Sequence, residues 1–450
     1  MVTATQSAFA GDRVWTDTVD SRRAIPASLE HADSHGADAS GAWATSSAPT
    51  DRAEIRIALP PPALRLPHDS DPDDSDPLGL STLLYYAVGL TGHDPRAGRW
   101  PLHRAVASAR CLYPTECQVL LPHGIYRYDA THHHLLKTAE LDPGSATRLL
   151  HDIGARAALV VTSRPTRTAR LYGDYAPRLC AQEAGMTVGA LHLTAVASGL
   201  DVEIHQDPDI LSALGDGWLD SDSDTDSDTD TDTDTEYAMA CLAVAPRSGD
   251  ALSGQTWVPA ELAKVVRARH SGPLIFDPVP EPAPRALLDD LARALATSPL
   301  PDCSAYLCVN RVSETPCGIY RTVPGDRGWQ LIAERDVVPD LERIGQTDGR
   351  VSLNFRSAAA TVYLAVPRAR AVEQYGDDAF RRVHLAAGAA AHRVTIAAAC
   401  HGLAARVHNG YDAAAAHHAL GLSDPGETVV FQLAIGRVGN HAGLRLPVVF

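Results

Sequence analysis

The segment Arg170–Arg178, RLYGDYAPR, returns as EQYGDDAFR at Glu373–Arg381, so Tyr-Gly-Asp-x-Ala-x-Arg occurs twice at an offset of 203 residues. Downstream of the first copy, Ala184, Val188, Leu191 and Ala195 recur at spacings of four, three and four, one apolar stripe of a helix that Gly199 would cap. Ala387, Ala391, Val394 and Ala398 repeat those spacings before Gly402, and Gly185 pairs with Gly388, Leu200 with Leu403 and His205 with His408 at the same offset. Two unrelated helices would not hold register without a gap for so long. The chain is therefore read as an internal duplication.

The echo extends to both sides. GIYRYDATHHHLLKT from Gly124 matches GIYRTVPGDRGWQLI from Gly318, each a strand, a turn and a second strand. EYAMACLAVA (Glu236–Ala245) matches ETVVFQLAIG (Glu427–Gly436) as a buried strand. These matches place the first unit at 78–248 and the second at 255–450, after a flexible N-terminal segment and linker over 1–77 that ends in LPPPALRLPHDSDPDDSDP. LSTLLYYAVGL (Leu80–Leu90) reads as the first helix. The fold class is α+β, duplicated in tandem, and such a chain reproduces within one molecule what a homodimer builds from two.

The net charge of -16 speaks against nucleic acid as a partner, but its placement matters more than its size. The tract from Asp220 to Glu236 holds eight Asp and one Glu, and without these nine the chain carries about -7. Such a run repels itself and buries nothing, so a disordered loop is expected over 219–236. No window joins a basic start to an apolar run, and no uncharged apolar run of about 18 residues occurs, which argues for a cytoplasmic protein that does not enter a membrane. The eight cysteines form no C-x-x-C pair and no zinc spacing, so no metal site is expected. His132, His133 and His134 fall in a hairpin turn, and no G-x-G-x-x-G or G-x-x-x-x-G-K-[ST] motif calls for a dinucleotide or P-loop phosphate.

His103–Leu136 resembles the signature of SagB/ThcOx azoline dehydrogenases in the nitroreductase family, R-x-x-P-S-A-G-A-L-Y-P-L-E followed by G-x-Y-x-Y-D. Arg104, Ser108, Ala109, Leu112, Tyr113, Pro114, Glu116, Gly124, Tyr126, Tyr128 and Asp129 match, whereas Ala107 and Arg110 replace Pro and Gly. The resemblance implies an FMN-dependent enzyme that oxidises thiazoline or oxazoline rings in a ribosomally made peptide, with a nitroreductase-like fold and flavin at the interface of two units. It implies an azoline-containing precursor peptide and a cyclodehydratase as partners, and molecular oxygen as the terminal acceptor. The chain would be a pseudo-dimeric monomer or a higher oligomer.

The family's N-terminal flavin motif, R-R-S-x-R-x-F-d-x-x-P, has no counterpart in unit one, but Arg269, His270, Ser271, Phe276, Asp277 and Pro280 resemble it in unit two. Unit two in turn lacks the Pro-Ser element. The losses are complementary, so the resemblance implies one FMN per chain, with Arg269, Ser271 and Arg437 on phosphate and ribityl and Arg104 and Ser108 around the ring. It also implies Tyr172 as the catalytic base, with Tyr375 as a structural twin. The family lysine before that tyrosine is Leu171 here, and the chain's two lysines, Lys137 and Lys264, lie elsewhere. A tyrosine of pKa about 10 needs a neighbouring cation, Arg170, Arg178 or the helix end, and a histidine such as His103 or His192 is the other candidate base. Two further readings stand beside this one: a catalytically degenerate peptide- or partner-binding scaffold, and a nitro or quinone reductase.

Overall fold

The repeated stripes become helices Ala176–Ala197 and Ala379–Cys400, 22 residues each. All eight stripe residues named above are at most 1% exposed. Gly199 and Gly402 follow at φ 81° and 67°, the left-handed conformation that ends a helix without a Cβ clash. The computed structural model describes residues 56–58, 79–93, 102–139, 143–215, 235–246, 260–277, 281–300, 303–322, 328–347, 350–351, 353–422, 426–439 and 444–445. The segment 1–55, the Pro/Asp linker 59–77 and residues 220–234 of the acidic tract lie outside them.

The first half runs β1 (Arg56–Ala58), α1 (Leu80–Ala87), β2 (Leu90–His93), β3 (Leu102–Arg104), β4 (Thr115–Leu121), β5 (Gly124–Asp129), β6 (His134–Ala139), α2 (Pro143–Asp152), β7 (Ala157–Ser163), α3 (Pro165–Tyr172), α4 (Ala176–Ala197), β8 (Leu200–His205), α5 (Pro208–Gly215) and β9 (Tyr237–Pro246). The second runs α6 (Ala260–Ala268), α7 (Ala286–Ala296), β10 (Ser304–Val309), β11 (Gly318–Thr322), β12 (Trp329–Glu334), α8 (Val338–Ile344), β13 (Gln346–Thr347), β14 (Arg350–Val351), β15 (Ala360–Pro367), α9 (Arg368–Tyr375), α10 (Ala379–Cys400), β16 (Ala404–His408), α11 (Ala413–Leu420), β17 (Glu427–Gly436) and β18 (Leu444–Arg445).

The two large sheets share one strand order. The first is β1-β6-β5-β4-β7-β9-β8 and the second β12-β11-β10-β15-β17-β16, so β4 answers to β10, β7 to β15 and β9 to β17. Every pairing within them is antiparallel. The one addition is β1, which pairs the outer edge of β6 although its sequence lies in the segment expected to be flexible.

The units are not independent bodies. α4 packs along α10, and one hydrophobic core takes Val119, Leu159 and Leu242 from the first sheet with Leu307, Val362 and Leu433 from the second. Chain exchange adds to this, because β18 from the C-terminal end pairs with β2 of the first unit. The helical stretch Arg368–Cys400 is long and apolar enough to cross a membrane by composition, a feature hidden from a scan for uncharged runs; 94% of its apolar window is buried inside the protein. It is the core of unit two.

Candidate functional site

In the first copy of the repeat, α3 ends at Tyr172 and Gly173 (φ 51°, ψ -133°) turns the chain into α4. In the second, α9 ends at Tyr375 and Gly376 (φ 54°, ψ -128°) makes the same turn into α10. A side chain is strained at such a φ, which is why glycine recurs. The motif arginines then cross to the opposite unit. Arg178 donates from Nη2 to the Val430 carbonyl at 2.6 Å, and Arg381 donates from Nη1 to the Met239 carbonyl. Val430 and Met239 hold equivalent places in β17 and β9, so the clamp is made twice about a pseudo-two-fold axis. Tyr172 is half-buried at the end of α3 beside Leu171. Tyr375 is half-buried with the Arg382 guanidinium 4.7 Å from its ring centre.

The segment 103–136, with residues of α4, builds a network around a cavity of about 20 Å³, room for one water. Arg104, Tyr113, Glu116, Tyr128, Glu183 and Thr187 line it; Tyr172 does not. The Arg104 backbone N–H donates to Tyr113 Oη at 2.9 Å, and the Arg104 guanidinium lies 4.8 Å from the Tyr113 ring centre. Ser108 Oγ accepts the Tyr113 N–H at 2.9 Å and hydrogen-bonds the Glu183 carboxyl. Its hydroxyl is thus engaged by its own loop and by α4.

Glu183 is the functional-looking residue that sequence reading missed. It is 5% exposed on α4, and burial pushes its carboxyl up to about 7, with Ser108, Arg104 and Thr115 stopping a further rise. At the equivalent place in α10 stands Ala386, so the duplicated fold does not need an acid there. Glu116 behaves oppositely. Burial would raise it, but Arg167, 2.6 Å away, and Arg104 more than offset that and hold it below the usual carboxylate value.

Unit two meets this network at Arg269. Arg269, immediately after α6 and 6% exposed, donates from Nη2 to the Arg104 carbonyl at 3.2 Å. Its Nε and Nη1 are buried with no hydrogen-bond partner among the described residues, a donor set that fits an anionic group. The structure therefore brings together Arg104, Ser108 and Arg269. Ser271 is exposed on the loop that follows. Arg437, just past β17, accepts the Asp277 N–H with its carbonyl, while its side chain turns to Glu281, with Nε 3.4 Å from that residue's carbonyl oxygen.

The alternative bases are accounted for. His103 Nδ1 lies 3.6 Å from Cys111 Sγ. His192 accepts from Arg393 at 3.1 Å, and burial followed by that cation lowers it to about 4, which makes it a weak base. His133, in the expected hairpin turn, places its ring nitrogens 2.8 Å from Tyr128 Oη and 2.9 Å from Ser81 Oγ.

Residues 330–437 match the Nitroreductase family. The structure is similar to that of a provisionally assigned nitroreductase from Anabaena variabilis, at 20% identity over 82% of this chain and 90% of that one, with a TM-score of 0.65. A match of that extent spans both units. The fold is a tandem nitroreductase fold. Lower-scoring likenesses include a provisionally assigned nitroreductase from Ralstonia eutropha (22% identity, 39% of this chain and 82% of that one, TM-score 0.32) and the E. coli microcin synthetase McbBCD complex with truncated pro-MccB17 bound (14%, 36% and 66%, 0.31). No curated protein sequence matches the chain. In this nitroreductase fold the network of Arg104, Ser108, Tyr113 and Glu183 lies where the first unit meets the Arg269 segment of the second.

Proposed function

We propose that the chain is an FMN-dependent dehydrogenase that oxidises thiazoline or oxazoline rings of a ribosomally made peptide to thiazoles or oxazoles. One observation carries the reading: the two half-motifs that survive in different units meet, through the Arg269 side chain and the Arg104 carbonyl. Arg269, Ser271 and Arg437 would hold phosphate and ribityl, and Arg104 and the Ser108 loop would flank the ring. The unpartnered donors of Arg269 fit the phosphate, since a guanidinium forks onto its oxygens. FMN held there would supply the hydride acceptor, with molecular oxygen as the terminal acceptor.

Removing two hydrogens from an azoline sends a hydride one way and a proton the other, so the chain must supply a proton acceptor. Tyr172 is given that role as the tyrosinate, which would take the ring proton at Oη and return to the neutral phenol. Leu171 leaves it without the family's lysine, and this favours a second reading, a peptide-binding scaffold of the biosynthetic complex. Incubating the purified protein with FMN and an azoline-bearing peptide separates the two. Loss of two hydrogens per ring by mass, abolished in Tyr172→Phe, supports the enzyme; a colourless protein that binds the peptide without oxidising it supports the scaffold. One FMN per chain is expected by titration, and two would overturn the shared-site reading.

A further inference from the structure

One wall of the Arg104 cavity leads toward the surface. Tyr128, on β5 and 4% exposed, lines the cavity together with Glu183. Its hydroxyl hydrogen-bonds His133 Nδ1 at 2.8 Å, and His133 Nε2 hydrogen-bonds Ser81 Oγ at 2.9 Å. His133 belongs to the turn between β5 and β6, with the exposed Thr131 and His132, and is half-buried where Glu183 and Tyr128 are sequestered. It holds φ 54°, a left-handed conformation that is costly for a histidine, and its ring meets those of Tyr128 and Tyr85 edge-on.

The cavity takes one water, and Glu183, Tyr128 and Arg104 are the polar partners such a water needs. The groups then run from a buried carboxyl, through that water and a phenol, to an imidazole near the surface, the side chain that gains and loses a proton most readily at neutral pH. The ionisable neighbours do not compete for the proton. Arg104, Cys111 and Cys180 act on Glu183, and Arg104, Arg267, Cys117 and Tyr85 act on Tyr128. Burial raises all three thiols, which stay protonated, and a guanidinium gives up no proton.

Unit two shows that the fold does not require these groups. Gly318 pairs with the end of β10 as Gly124 pairs with the end of β4, so Thr322 stands at the place of Tyr128, as Ala386 stands at that of Glu183. Phenol and carboxyl occur together only in the unit that carries the Arg104 cavity.

We propose that Glu183, one water in the Arg104 cavity, Tyr128 and His133 form a proton path between that cavity and solvent at the β5–β6 turn. A proton taken up at His133 Nε2, on the Ser81 side, makes the ring imidazolium. Nδ1 then gives its proton to Tyr128 Oη, the phenol passes its own hydrogen to the water, and the water passes one of its hydrogens to the Glu183 carboxylate. Solvent has lost one proton and Glu183 has gained one; the phenol and the water are unchanged, His133 is left as its other tautomer, and the reverse order carries a proton out. In giving this path the proton of the ring oxidation the assignment rests on the function proposed above; the path itself does not.

The test is NMR of the Glu183 carboxyl carbon in the purified full chain, its signal identified by its loss in Glu183→Gln. Near neutral pH the parent should show one signal averaged between acid and carboxylate, because the proton comes and goes quickly. Tyr128→Phe keeps the ring, and His133→Asn keeps a hydrogen-bonding side chain that tolerates the left-handed φ, yet neither relays a proton. Each should slow the exchange at least about tenfold, into separate acid and carboxylate signals, with an unchanged midpoint. His133→Gly should slow it equally, and imidazole added to the buffer should restore it. These substitutions at two positions guard against one that fails to fold. Exchange as fast in Tyr128→Phe and His133→Asn as in the parent would overturn the proposal. So would a His133→Gly chain that stays slow in imidazole, which would mark His133 as a structural tie. Fast, His133-dependent exchange in a chain that oxidises no azoline peptide would uphold the path and sink the dehydrogenase. Azoline oxidation at the parental rate in both slowed variants would uphold the dehydrogenase and remove the path from its cycle.

Discussion

A Cβ placed on Gly185 would stand 2.2 Å from the Leu385 carbonyl oxygen, and one on Gly388 would stand 2.1 Å from the Gln182 carbonyl oxygen. Residues 182 and 385 are related by the same 203-residue offset as the two glycines, so one close helix contact is made twice across the pseudo-dyad. Backbone cannot step aside as a side chain can. Gly185→Ala or Gly388→Ala should each cost about 3 kcal/mol by denaturant unfolding, and the pair less than the sum, since one separation of α4 from α10 relieves both clashes.

The two clamping arginines should not be equivalent on removal. Val430 O also accepts Gln182 Nε2 at 2.7 Å, so Arg178→Met leaves it partnered. Arg382 still bonds Asp378 and the Gln206 carbonyl when Arg381 is lost, but Leu385 stands at the place of Gln182, so the Met239 carbonyl loses its side-chain donor with no stand-in among the described residues. Arg381→Met is expected to cost about 4 kcal/mol and Arg178→Met about 2 kcal/mol, compared by urea unfolding at neutral pH.

Glu183 should give the protein an unusual pH response. Its folded pKa is raised, to about 7, so between the normal carboxylate range and 7 the folded state holds a proton that the unfolded state has lost. Stability from this group therefore falls as pH rises through that window. His384 and His392, each lowered to about 3 by burial and a neighbouring arginine, act oppositely, adding stability as pH rises from about 3 to 6.5. The difference between Glu183→Gln and the parent isolates the carboxyl. It should grow with pH and level off above 7, with the glutamine form more stable by up to about 3 kcal/mol. A difference flat with pH would remove the assignment.

Arg110 sits at φ 51° and ψ 26°, where the resembled family carries glycine. Side chains lose stability in that left-handed region. Arg110→Gly should raise stability by about 1 kcal/mol, read as a higher melting temperature with an unchanged fold.

Much of the fold could be read from the chain because its signals are local. Spacings of three and four specified α4 and α10, and the apolar runs before the repeat and after it specified β5, β9, β11 and β17. The site was less legible. Glu183 lies in a helix whose other residues give no hint that this turn faces a cavity, and His133 reads as one of three histidines in a hairpin turn. β1 is three residues in a stretch without period, and it becomes a strand only because the β6 edge offers it a partner.

The sequence by itself determined that this chain is one α+β unit written twice, because a repeat in register over a whole helix and its flanking strands leaves no other reading. The tertiary structure alone decided what the repeated Tyr-Gly-Asp motif is for: its glycine turns the chain and its arginine clamps the opposite unit, while Tyr172 lies outside the Arg104 cavity. It also decided which buried guanidinium nitrogens have no hydrogen-bond partner among the described residues. Hydrogen bonding and desolvation depend on what folds against a residue, and for Arg178, Glu183 and Arg269 those neighbours are distant in the chain.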